Sequence, residues 1–285
     1  MRIVVAVDWT DQSFSAVKEV VHLYSPDELI LVHAVDLGIL DYPTLAPAMG
    51  DAVYQDVRKA MMDAGNQLLE RTAGLVPPSI STVKRICDVG SPETVILDVV
   101  HSTRADLVVT GARGRGRIAE LILGSISHRV LSKATCPTLL VKGQFRTIQR
   151  LLVAVESTED AERIMGWLLA HPFNRRVEVS VISVTPAPPL VEPDTVANFA
   201  IWSATVKKFA QELADGVAAK LDGRHYAATS RTVNGEPVEV ILQESTAHDL
   251  VVVGSHGRTG LDRVLLGSVS HAVVHGADCP VLVIR

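Results

Sequence analysis

Asp106-Leu107-Val108-Val109-Thr110-Gly111 and Asp249-Leu250-Val251-Val252-Val253-Gly254 are near-copies of one six-residue phrase, set 143 positions apart. The same offset carries Leu123-Gly124-Ser125 onto Leu266-Gly267-Ser268, Ser127-His128 onto Ser270-His271 and Cys136-Pro137 onto Cys279-Pro280. Nearer the starts, Val5-Ala6-Val7-Asp8 matches Val153-Ala154-Val155-Glu156 at an offset of 148, so a few residues have been lost from the loops between. Matches that recur in order over this distance mark a duplication. The copies span residues 1–143 and 149–285, joined where Gly143 and polar residues interrupt the apolar pattern.

Working outward, each copy alternates strand and helix signals. Ile3–Val7 is a short apolar run without polar alternation, as expected of a strand covered on both faces. Ser13–Tyr24 carries Phe14, Val17, Val20, Val21 and Tyr24 at helical spacing, and Ser25-Pro26 stops it. Leu29–Val35 reads as a second strand, and a loop with Pro43 and Pro47 leads to a long helix near Ala52–Leu75, closed by Pro77-Pro78. Ile80–Val89 is a third strand, and Ser91-Pro92-Glu93 starts a helix with Pro where its missing donor costs nothing. Leu107–Thr110, Gly124–Ala134 and Pro137–Val141 complete the copy as strand, helix and strand. The second copy repeats this order through Val281–Ile284. Alternation of this kind predicts an α/β fold: two doubly wound parallel sheets in tandem, with helices on both faces.

The 285 residues are 47% hydrophobic and only 4% aromatic, a Val/Leu/Ile/Ala-rich balance that suits such buried sheets. A net charge of −5 gives no electrostatic reason for a nucleic-acid or membrane-surface partner. Cys87, Cys136 and Cys279 are too few and scattered for a disulfide framework or a metal cluster. With no membrane-length apolar run and no signal-type segment before the first strand, a soluble cytoplasmic protein is expected.

Chemistry concentrates after the fourth strand of each copy. There Gly111-Ala112-Arg113-Gly114 is followed by nine residues and Gly124-Ser125; Gly254-Ser255-His256-Gly257 is followed by nine residues and Gly267-Ser268. Glycines let backbone amides approach an anion, and a helix start adds free N–H groups and a positive dipole end. Ser125 and Ser268 are expected to cap those helices or bond a phosphate oxygen, with Arg113, Arg115, Arg117, His256 and Arg258 adding charge. A plain strand-to-helix turn is the competing reading, and spacing kept in both copies weighs against it. No P-loop lysine is present. Gly114 and Gly116 open a Gly-x-Gly, but Ala119 stands third and no acid follows a further strand after this loop as such a site needs, so a dinucleotide fingerprint is absent.

The pattern Gly-x2-Gly-x9-Gly-Ser, with a first strand ending in Asp8, resembles the universal stress protein family in its tandem form, over essentially the whole chain. The resemblance implies a five-stranded parallel sheet of order 3-2-1-4-5 in each domain, related by a pseudo-twofold. The ligand crevice then lies at the carboxyl ends of strands one and four. The family divides into ATP binders and non-binders, and the Gly motif marks the binders. Carried over, Asp8 faces the ribose or base, Ala34 meets adenine, Thr110 and Gly111 line base and sugar, and Gly114, Gly124, Ser125 and Ile126 hold the phosphates. The matching residues are Glu156, Val184, Val253, Gly254, Gly257, Gly267, Ser268 and Val269. Glu156 departs from the family's Asp by one methylene, and Ala6 and Ala154 stand where some binders carry Pro. ATP with Mg²⁺ is the implied ligand. The apolar edge strands Thr138–Val141 and Val281–Ile284 are expected to pair as an intrachain pseudo-dimer, with further homodimerisation open.

The remaining candidates read as structural. His128 and His271 recur without a nucleophile or carboxylate fixed beside them; Cys136 and Cys279 are buried thiols; Asp106 and Asp249 are turn or cap residues; Trp9, Trp167 and Trp202 are packing residues. No catalytic residue and no metal-ligand set is assigned, so the balance is against an enzyme. The expected function is an ATP-binding stress-response or signalling protein with little or no turnover. A non-nucleotide-binding interaction module of the same fold and a slow ATPase are the alternatives.

Overall fold

The computed structural model describes residues 1–38, 50–112, 123–186, 196–255 and 266–285, without the side chains of 196–199. Gly114 and Gly257 lie outside the described residues, as do the loop cations Arg113, Arg115, Arg117, His256 and Arg258 and the prolines Pro43 and Pro47. The chain divides into two compact units, Met1–Phe145 and Arg146–Arg285. No helix among the described residues is long and apolar enough to cross a membrane.

The first unit runs β1 (Arg2–Ala6), α1 (Asp11–Leu23), β2 (Glu28–Val35), α2 (Asp51–Ala73), β3 (Val83–Val89), α3 (Pro92–Thr103), β4 (Leu107–Gly111), α4 (Ser125–Lys133) and β5 (Thr138–Val141). Every strand pairing within it is parallel, and the strands lie in the order β3, β2, β1, β4, β5. Val4 faces Ile30 of β2 on one side and Val108 of β4 on the other. Ile3, Val4 and Val5 are wholly buried, which is why this strand shows no polar alternation. One face of the sheet packs Val4, Ile30, Val32 and Val108 against Val95, Ile96, Val99 and Val100 of α3 and Val130 of α4. At the other end of β2, Val35 packs with Tyr54, Val57, Met61 and Met62 of α2.

The second unit repeats the order: β6 (Arg150–Ala154), α5 (Thr158–Ala170), β7 (Val177–Thr185), α6 (Val196–Leu221), β8 (Tyr226–Asn234), α7 (Pro237–Ser245), β9 (Leu250–Gly254), α8 (Ser268–Gly276) and β10 (Val281–Ile284). Its pairings are again all parallel, in the order β8, β7, β6, β9, β10. In each unit the chain winds outward from the first strand, then returns to its other side. The first and fourth strands therefore neighbour each other while their outgoing connections diverge, which opens a crevice at their carboxyl ends.

Side chains the sequence marks as turn or cap residues tie the strand starts together. Asp106 Oδ2 accepts the Arg2 amide at 2.6 Å, and Asp249 Oδ2 accepts the Arg150 and Gln149 amides at 2.8 and 2.9 Å. Each carboxylate thus fixes the start of the strand beside its own. Trp9 and Trp202 correct the packing reading, since they are 40% and 45% exposed; only Trp167 is half-buried, with its ring against His171. Cys136 and Cys279 are buried.

Before α3 and α7 the chain passes through a second repeated device, Gly90 at φ 156° and Gly235 at φ 152°. Their amides bond Val35 O and Thr185 O, so each glycine locks the strand three-to-helix turn onto the end of strand two. A side chain there meets both an unfavourable φ and a wall: a Cβ would stand 3.1 Å from Val95 Cγ2 at 90 and 2.8 Å from Val240 Cγ2 at 235. Gly90→Ala and Gly235→Ala are each expected to lower the unfolding free energy by about 1–3 kcal/mol, the second more than the first. Urea unfolding of the single variants measures this, and unchanged midpoints would sink the argument.

Candidate functional site

The crevice of the first unit begins where β1 ends. The Val7 amide bonds Val32 O at 2.8 Å, and Val7 O faces His33 Nδ1 at 2.8 Å. A carbonyl only accepts, so His33 carries its proton on Nδ1. Asp8 then turns the chain toward α1. Its Oδ1 accepts the Thr10 amide at 2.9 Å and the Thr10 hydroxyl, while its main-chain carbonyl accepts the Ser13 hydroxyl at 2.7 Å. Thr10 caps α1 in turn. Asp8 is half-buried, and so is Ala34 on the neighbouring β2.

On the other side of the crevice, β4 ends in Thr110 and Gly111. Thr110 is 2% exposed, and its hydroxyl has no hydrogen-bond partner among the described residues. Gly111 O accepts the Ser127 hydroxyl at 2.6 Å. The Ala112 amide bonds Val141 O at 2.8 Å, and Ala112 O accepts the Gly124 amide at 2.8 Å. Ala112 and Gly124 are thus joined in one hydrogen-bonded neck, which delivers the start of α4 to the end of β4. Gly124, at φ −61° and ψ 146°, caps α4 without any side-chain hydrogen bond. Ser125 occupies the first helical position and is exposed, as is Ile126. The expected Ser cap is thus corrected: the Gly is the cap, and among the described residues no side chain caps the first-turn amides.

The second unit rebuilds this neck atom for atom. The Ser255 amide bonds Ile284 O at 2.7 Å, Ser255 O accepts the Gly267 amide at 2.7 Å, and Gly254 O accepts the Ser270 hydroxyl at 2.5 Å. Gly267 caps α8 with no side-chain bond, so Ser268 is likewise not the cap; Ser268 is exposed and Val269 half-buried. Val253 and Gly254 are buried, and Val184 is half-buried. Ser127 and Ser270 are neck residues that sequence reasoning registered only as part of the repeat.

The two crevices differ at the other lip. Thr10 caps α1 two residues after Asp8, whereas Ser157 caps α5 directly after Glu156. One residue fewer rotates the helix start, so the third helical position holds Ser13 in the first unit and Asp160 in the second. Glu156 is exposed, while Asp160 is 5% exposed and lies on Gly254. A Cβ at 254 would stand 1.6 Å from Asp160 Oδ1, so only glycine fits there. Arg163 Nη2 is 3.6 Å from that oxygen, beyond hydrogen-bond reach, and Oδ1 has no hydrogen-bond partner among the described residues. Sequence reasoning missed Asp160; the signal was the shortened spacing between strand end and capping hydroxyl.

A family model described as "Universal stress protein family" matches residues 1–142 and again 147–285. The chain belongs to the universal stress protein family. Among the relatives of this universal stress protein, "Universal stress protein Rv2005c" of Mycobacterium tuberculosis is 28% identical over 268 residues, spanning 90% of this chain and 87% of the relative. A universal stress protein of Mycolicibacterium smegmatis is 26% identical over 302 residues, spanning 99% and 96%. The crystal structure of a universal stress protein from Archaeoglobus fulgidus superposes with a TM-score of 0.64 at 17% identity, covering all of this chain and 98% of that one, a likeness of fold.

The carboxyl in the second crevice gives this universal stress protein a pH signature. Burial is the largest influence on Asp160 and pushes it up from the ordinary 3.8 to about 6; Arg163 and the Glu156 backbone amide work against that rise, and the charges of Glu156 and Glu159 add to it. The folded state then holds the proton more tightly than the unfolded chain. The resulting stability is present below pH 3.8 and is lost as pH rises through about 6. Asp160→Asn is expected to stabilise the protein at pH 8 by about 1–3 kcal/mol, with the gain shrinking toward pH 4. Thermal unfolding at both pH values checks this; an equal gain at each would show that the carboxyl does not titrate as described.

Proposed function

We propose that the protein is an ATP-binding stress-response protein with little or no turnover, each unit offering one nucleotide site at the carboxyl ends of its first and fourth strands. The observation that carries this reading is the neck built twice with the same hydrogen bonds, each time ending in a helix whose first turn has no side-chain cap among the described residues. Uncapped first-turn amides suit an anion such as phosphate, and the dipole adds to them. The Thr110 hydroxyl, without a hydrogen-bond partner among the described residues, lies on the strand end beside that turn and suits a polar ligand group.

In this reading Gly124, Ser125 and Ile126, with Gly267, Ser268 and Val269, hold phosphates through backbone amides. Asp8, Ala34, Thr110 and Gly111 line the nucleoside end of the first site, and Val184, Val253 and Gly254 that of the second. Gly114 and Gly257 would bring further amides. Mg²⁺ would arrive with the phosphates and offset their charge. Neither loop sequence, 111–125 or 254–268, contains a lysine, which favours holding over phosphoryl transfer.

Mass spectrometry of nucleotide released from the purified protein, followed by calorimetry, tests the reading. ATP is expected to bind about tenfold or more tightly than adenosine, because phosphate contacts at a helix start are charge-assisted. Gly124→Val and Gly267→Val should each remove one site and leave the other. Equal affinity for ATP and adenosine would instead favour an interaction module whose loops only turn the chain.

A further inference from the structure

Asp160 is costly where it stands. Its carboxyl is buried in the crevice of the second unit, one oxygen has no hydrogen-bond partner among the described residues, and the side chain forces glycine at 254. The first unit carries no such group at this position: Ser13 turns its hydroxyl back onto Asp8 O and Thr10 O at 2.7 and 3.0 Å. A buried acceptor at a strand end, lacking a hydrogen-bond partner among the described residues, is the arrangement expected of a group that waits for a ligand donor.

The chemistry of that donor can be narrowed. A phosphate is disfavoured, because a carboxyl offers it repulsion or at most one proton. A divalent cation is disfavoured by the Arg163 guanidinium 3.6 Å away, and Oδ1 is one oxygen where such ions take several. A neutral hydroxyl suits it, since it donates one hydrogen bond and brings no charge. On the nucleotide reading above, the neutral hydroxyls of the ligand are those of the ribose.

We propose that Asp160 is the specificity residue of the second unit, its Oδ1 accepting a hydrogen bond from a ribose hydroxyl so that this site selects ribonucleotides over their deoxy forms. Glu156, exposed at the strand end, is not the reader of the sugar. The first unit, with Ser13 turned away, discriminates by other contacts or not at all.

The full chain carrying Gly124→Val isolates the second site, and the chain carrying Gly267→Val isolates the first. Titrating each by calorimetry with ATP, 2′-deoxy-ATP and 3′-deoxy-ATP reads the selectivity. The isolated second site is expected to prefer ATP to at least one deoxy form by about ten- to a hundredfold, the worth of a hydrogen bond to a charged acceptor. Adding Asp160→Asn or Asp160→Ala should weaken ATP by a similar factor and erase the preference, while Glu156→Gln should preserve it. Unchanged selectivity in both Asp160 variants would overturn the proposal. So would ATP binding that tightens when the carboxyl is removed, since Asp160 would then only obstruct the crevice. Binding confined to the first site in every variant would also overturn it while leaving the nucleotide reading intact; binding at neither site would remove both.

Discussion

The hydrogen bond from the Gly124 amide to Ala112 O, and its counterpart from Gly267 to Ser255 O, closes a long excursion of chain onto the end of the strand it left. Everything at the crevice depends on this closure. It places the first turn of α4 or α8 beside the fourth strand, so that amides with no intrahelical partner gather where two parallel strands end. The Ser127 and Ser270 hydroxyls reinforce it by bonding the last carbonyl of that strand. A parallel sheet supplies the frame: its strands end on the same side, and a reversal of winding direction leaves a gap between the first and fourth.

Duplication preserved this neck and let the opposite lip drift. In the first unit Asp8 is engaged by Thr10, and Ser13 ties back to the same turn, so the lip is self-satisfied. In the second, a capping serine one residue closer to the strand brings Asp160 over Gly254 and leaves Glu156 outside. A single-residue change in a turn shifts every following helical position by about 100°, enough to exchange a small hydroxyl for a carboxyl inside the crevice. The two units therefore share the hydrogen-bonded neck and differ in the side chains facing it.

That difference carries a thermodynamic cost. An acid driven to about pH 6 by burial is a group the fold would be more stable without at neutral pH. Sites that keep such groups commonly trade stability for binding or catalysis. The steric fit between Asp160 and Gly254 is local. Glycine is needed at 254 for the carboxyl to lie there, and the buried strands beside it are rigid enough to hold the geometry.

The α/β class, the duplication and the glycine-spaced loops could be read from sequence, because they rest on local rules. Unbroken apolar runs mark strands buried on both faces, proline and glycine punctuate the helices, and repeated phrases betray the copy. The family resemblance rested on those same phrases, Gly124-Ser125 and Gly267-Ser268 above all. What escaped was non-local. That Gly rather than Ser caps α4 and α8 depends on where the chain re-enters after its neck. The roles of Ser127 and Ser270 depend on a carbonyl sixteen residues away. Trp9 and Trp202 are large and apolar, yet whether they are covered depends on what packs beside them, and periodicity does not report that. Asp160 is the clearest case. Sequence placed an acid near a helix start, a common and unremarked position, and only the packing of α5 against β9 decided that its carboxyl lies buried on Gly254. Sequence thus determined which segments form strands and helices, because those preferences are local; tertiary structure decided which polar groups face the crevice, because that depends on where a helix start lands relative to a strand it does not adjoin in the chain.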